Sequence, residues 1–104
     1  MTIFDDSERA YEAKFAHDED LKFKAEARRN KLLGLWAAGL LGKSGDATAA
    51  YAKEVVAVDM QEAGEEDVFR KLAADLNGKA DAVTIRARMA ELMAEAKRQL
   101  MNEV

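Results

Sequence analysis

Cysteine and proline are both missing from this 104-residue chain, and histidine occurs once, at His17. Without cysteine there is no disulfide framework and no thiolate metal site. A nucleophilic triad needs a histidine beside a serine, threonine or cysteine, whereas His17 lies among the acids of the opening segment, and with Asp20, three residues on, it gives only two metal ligands where a zinc site needs three or four. Apolar runs fall far short of the ~20 residues that span a bilayer, and the opening MTIFDDSE is acidic where a targeting peptide is basic. The expectation is therefore a soluble, cytoplasmic, non-enzymatic protein with no cofactor. A net charge of -4 also argues against broad affinity for nucleic acid.

Ala, Glu, Lys, Arg and Leu fill the space that glycine and proline leave, and these side chains lose little entropy in a helix. Of the hydrophobic residues, 21 are alanines, so the core must be thin and close-packed. Strand signals are absent, and the length allows one compact domain.

Apolar spacing divides the chain into helices. Asp18 is a plausible N-cap, with Glu19 and Asp20 at the positive end of the helix dipole and Lys22 and Lys24 placed to pair with acids four residues earlier. From there Leu21, Ala25, Leu32, Leu35, Trp36 and Leu40 predict the longest helix, ending near Gly42, with Trp36 as its main core anchor. Gly34 and Gly39 inside it point to close helix packing. GKSGD lacks the glycine spacing of a phosphate-binding loop and reads as a turn. Ala47, Ala50, Tyr51, Val55 and Val58 predict a second helix. Val68, Phe69, Leu72 and Leu76 predict a short third helix closed by Asn77 and Gly78. The fourth starts near Asp81 or Thr84 and carries Ile85, Met89, Leu92, Met93, Ala96 and Leu100. This pattern is an all-α, four-helix bundle.

Residues 1–20 stand apart. They carry seven acids against Arg9 and Lys14, while residues 21–31 carry five bases against Glu26. In the basic stretch Lys22 and Arg29 share one helix face and Lys24, Arg28 and Lys31 another, which reads as solvated surface more readily than as a phosphate-binding strip. In the opening segment Asp5 and Glu8 suit a variant capping arrangement, and Phe4, Tyr11 and Phe15 align on one side at spacings of seven and four. Three large anchors are too few to hold such a helix alone in water. It either packs on the bundle or waits for a partner. His17, beside Asp18 and Asp20, titrates in a range that would let it sense pH.

The stretches KFAHDEDLKFKAEARRNKLLGLWAAGLLG, AYAKEVV and DVFRKLAADL closely resemble the ζ subunit of alphaproteobacterial F-type ATP synthases, a small inhibitor protein, and the similarity runs nearly end to end. The resemblance implies a monomeric four-helix bundle over residues 21–104, preceded by a mobile, partly helical inhibitory segment over residues 1–20. That segment would insert into a catalytic α/β interface of the ATPase head, against the rotor, and block rotation in the hydrolysis direction. Its partner-binding residues would be Phe4, Glu8, Arg9, Tyr11, Glu12, Lys14, Phe15 and His17, and the protein would associate with the inner membrane only through the synthase. The alternative is a helical adaptor that binds another protein or RNA through an exposed helix face.

Overall fold

The computed structural model describes residues 18–61 and 64–103. They form four helices, α1 (Glu19–Leu40), α2 (Asp46–Gln61), α3 (Glu65–Asp75) and α4 (Ala82–Glu103), and no strand. The expected all-α bundle is what forms. α1 is the central element, packed along both α2 and α4, while the shorter α3 touches α2 and α4 and closes the far side.

Local chemistry sets the helix ends. Asp18 has extended backbone (φ -113°, ψ 102°), and its carboxylate accepts the Leu21 N–H at 3.1 Å, so α1 starts one residue later with Glu19 and Asp20 in its first turn. At the other end Gly42 turns left-handed (φ 74°), the Gly42 N–H reaches the Gly39 carbonyl at 3.2 Å and the Lys43 N–H reaches Ala38 at 2.9 Å. These paired bonds satisfy carbonyls that the helix end would otherwise leave open. Asp81 caps α4 by accepting the Thr84 N–H at 2.8 Å.

The main core joins Leu33, Ala37 and Ala38 of α1 to Tyr51 and Val55 of α2, to Val68 and Leu72 of α3 with Leu76 just beyond it, and to Ile85 and Met89 of α4. Leu21, Ala25 and Leu100 form a second cluster at the end where α1 begins, flanked by Met93 and Met101. The structure corrects the stripe expected on α1. Leu33 is fully buried, whereas Leu35 and Leu40 are 39% exposed and Trp36 is only partly buried at the core edge, with the Arg88 guanidinium 5.8 Å from its ring centre. The physical reason is that α1 faces two neighbours, so its buried surface follows Leu33, Gly34, Ala37 and Ala38, whose small members let α2 come close. A Cβ on Gly34 would lie 2.5 Å from Ala52 Cα. On α2, likewise, Ala52 is buried while Ala47 and Ala50 are exposed.

A polar clasp joins α2 to α3. The Tyr51 hydroxyl donates to Asp75 Oδ2 at 2.7 Å, and Lys71 Nζ donates to the same oxygen at 3.0 Å while lying 5.1 Å from the Tyr51 ring centre. Burial alone would raise the Asp75 pKa, but the hydrogen bonds from Tyr51 and Lys71 outweigh it and hold the carboxyl below its ordinary value. Burial, then the bond to Asp75, raises that of Tyr51.

Asp81, Glu95 and Glu103 are lowered as well, by hydrogen bonds from Thr84, from Arg98 and from Arg28 respectively. A carboxyl whose folded pKa is depressed stabilises the fold above its unfolded pKa and loses that contribution as pH falls through the folded value. The melting temperature should therefore hold nearly constant from pH 7 to about 5 and fall below about pH 4. Circular dichroism melts across this range check it, and a stability that rises on acidification would contradict these assignments.

Candidate partner-binding surface

The eight residues expected to bind a partner, Phe4, Glu8, Arg9, Tyr11, Glu12, Lys14, Phe15 and His17, all lie outside the described residues. What the structure does describe is the surface on which that segment ends. Asp18 breaks the helical path of the chain, so α1 does not continue upstream through it. Beyond it, an open groove runs along the outer face of α1, bordered by Asp18, Asp20, Phe23, Lys24, Arg28 and Lys31, with Val56 on one flank and Leu100 and Glu103 on the other.

The groove is anchored on the core beneath it. Leu21 and Leu100 line it and, with Ala25, form the buried cluster at this end. Arg28 grips the last turn of α4: its Nη1 donates to Gln99 Oε1 and Glu103 Oε2, both at 2.8 Å, and its Nη2 to Glu103 Oε1 at 2.9 Å. Such two-pronged guanidinium–carboxylate contact adds geometric specificity to the attraction. It lowers the pKa of Glu103 and raises that of Arg28. Lys24 pairs with Asp20 at 3.2 Å, both exposed. Lys31 makes no ion pair among the described residues. Phe23 is 56% exposed, an aromatic ring in the middle of a charged face.

Lys24, Arg28 and Lys31 thus share a face, as their spacing indicates. Arg29 does not belong with solvated bases: it is 3% exposed, its Nε donates to Asn30 Oδ1 at 3.0 Å, and its Nη1 lies 3.9 Å from Glu65 Oε2. Asn30 is fully buried and its Nδ2 has no hydrogen-bond partner among the described residues. The exposure of Phe23 follows from its spacing, for it sits two positions from Leu21 and hence on the side of α1 opposite the buried one.

Among the described residues, no three His, Cys, Asp or Glu side chains are placed to hold a metal ion. No described helix is long and apolar enough to cross a membrane. The surface offers charge, one ring and a shaped helix face, which is the chemistry of docking.

Comparison with known proteins adds a family to this description. The family model described as ATPase inhibitor subunit zeta matches residues 1–99, from the opening segment to the last turns of α4. The chain belongs to the ATPase inhibitor subunit zeta family. The match to the zeta family takes in both the opening segment and the bundle, so neither is foreign to it. A protein whose structure was solved by NMR in solution is 60% identical, with a TM-score of 0.73 over 81% of this chain and 99% of that one. No curated protein matches.

Proposed function

We propose that this zeta-family chain inhibits ATP hydrolysis by an F-type ATP synthase, with residues 1–20 as the inhibitory wedge and residues 21–104 as the bundle that carries it. The wedge enters a catalytic α/β interface and blocks rotation in the hydrolysis direction; the protein does no chemistry of its own. The observation that carries this reading is the family match beginning at residue 1, together with a core assembled from Leu21 to Leu100. The aromatic side of the opening segment fits an amphipathic helix seated in another protein's groove.

Magnitudes say which contacts the wedge needs. Burial of Phe4, Tyr11 and Phe15 contributes roughly 1.5–3 kcal/mol each, at most about 9 kcal/mol together, and ordering the segment costs about 2–5 kcal/mol. The surplus, at most about 7 kcal/mol, falls short of the ~8.2 kcal/mol of micromolar binding. Glu8, Arg9, Glu12, Lys14 and His17 must therefore add charge-assisted contacts to the ATPase, and Glu8 and Arg9, central in the segment, are the first to replace. Titrating the full chain into a cognate ATP synthase during steady-state hydrolysis tests the proposal. Saturable inhibition is expected, and a rate unaffected by tens of micromolar chain, well above a dissociation constant of ~1 µM, refutes it.

A further inference from the structure

The groove on α1 and the chain that ends beside it carry mirror-image charge patterns. Glu12 and Lys24 lie six residues on either side of Asp18, Glu8 and Arg28 ten residues, and Asp5 and Lys31 thirteen residues. Acids at 5, 8 and 12 repeat the three- and four-residue steps of one helix face, as do bases at 24, 28 and 31. Two helical segments folded antiparallel about a bend at Asp18 would bring each acid beside its base. The structure supplies the break that such a bend needs: Asp18 is extended, it caps α1, and it borders the groove itself.

We propose that in the free protein residues 1–17 fold back at Asp18 and lie along the α1 groove, with Asp5, Glu8 and Glu12 against Lys31, Arg28 and Lys24 and the aromatic side of the segment against Phe23. As a helix, 17 residues span about 25 Å, enough to cover the ~16 Å from Asp20 to Lys31. With no ion pair among the described residues, Lys31 can take a new partner, and Lys24 is held only by one exposed contact four residues away. Arg28 keeps Glu103 and offers Glu8 an attraction without exchanging partners. Direct tethering holds the two surfaces at high effective concentration, so weak contacts suffice. Salt weakens them, as the Debye length drops from about 30 Å at 0.01 M to about 10 Å at 0.1 M. The consequence rests on the inhibitory reading of residues 1–20: docking hides the wedge, and the ATPase must compete for it.

The chain has no cysteine, so Thr2→Cys places one nitroxide label. Docked, residue 2 lies beside the middle of α1, and amide broadening at low salt should be stronger at Lys31 and Leu35 than at Phe23. A free tail of 16 residues instead spreads about 22 Å from Asp18, and broadening then fades steadily from Glu19 along α1. That fading profile would overturn the proposal. Lys24→Glu with Lys31→Glu should abolish the peak at Lys31, and adding Asp5→Lys and Glu12→Lys should restore it. A peak indifferent to these charges, or one that appears only between labelled and isotope-enriched molecules mixed together, also overturns it, the latter by making a second copy the occupant. If the docked form outnumbers the free form about nine to one, the Lys24→Glu/Lys31→Glu chain should inhibit at about tenfold lower concentration, and an unchanged concentration overturns the masking. Failure of the unmodified chain to inhibit at all would strike the proposed function and leave the broadening profile standing.

Discussion

A chain that begins at Asp18 should fold as the full chain does and inhibit ATP hydrolysis not at all. The structure fixes where to cut. Asp18 accepts the Leu21 N–H, and the first buried side chain among the described residues is Leu21, so removing residues 1–17 leaves the cap and the core in place. Cutting after residue 20 instead removes the cap and the acidic first turn, which costs about 1 kcal/mol and blurs the comparison. If the segment carries micromolar binding, about 8.2 kcal/mol, all of it goes with residues 1–17, so no inhibition should remain at tens of micromolar chain. The melting temperature should move by no more than a few degrees. Steady-state hydrolysis and circular dichroism on the same preparation separate the two effects. Full inhibition by the shortened chain would move the inhibitory contact onto the bundle.

Two glycines of α1 should respond to alanine with opposite sign. At Gly34 the new Cβ would sit 2.5 Å from Ala52 Cα and 3.1 Å from Ala52 Cβ, a clash with backbone that no side-chain rotation relieves. α1 and α2 would have to separate along the interface that holds the main core. Gly34→Ala should cost about 3 kcal/mol, the upper end for overpacking, even after the ~1 kcal/mol gained in helix propensity. Gly39 has negative φ and open space around its Cβ, so Gly39→Ala should stabilise by about 0.5–1 kcal/mol. Urea titrations of both variants measure the contrast, which comparable changes of one sign would disprove.

The helix ends were legible because single residues set them: Asp18 and Asp81 as caps, Gly42 and Gly78 as left-handed stops. The apolar positions of α3 and α4 were legible too, since Val68, Leu72, Ile85, Met89 and Leu100 repeat on one face and end up buried. α1 was harder to read. Its periodicity is written in large residues, yet the line that packs on α2 is Leu33, Gly34, Ala37 and Ala38. Trp36, Leu35 and Leu40 look like anchors by size, but close approach of α2 favours small side chains and leaves the large ones at the margin. The burial of Arg29 and Asn30 could not be seen because polar types are read as surface, and only their bond to one another and the nearness of Glu65 account for Arg29. At the candidate site, the aromatic stripe and the charge reversal about Asp18 are sequence properties. That Lys24, Arg28 and Lys31 border one groove, with Arg28 already engaged by α4, required the fold.

If the opening segment, not the bundle, enters the ATPase head, a photo-reactive group at Tyr11 should mark the head and one at Val83, in a separate sample, should not. Val83 serves as the reference on the bundle because it is 78% exposed at the start of α4. Each chain is added to ATP synthase during hydrolysis and illuminated, and the adducts are identified by mass spectrometry. Adducts of Tyr11 with the α and β subunits, lost when ATP is withheld, with none from Val83, are the expected outcome. Adducts from Val83 with none from Tyr11 would place the bundle in the head and refute the wedge.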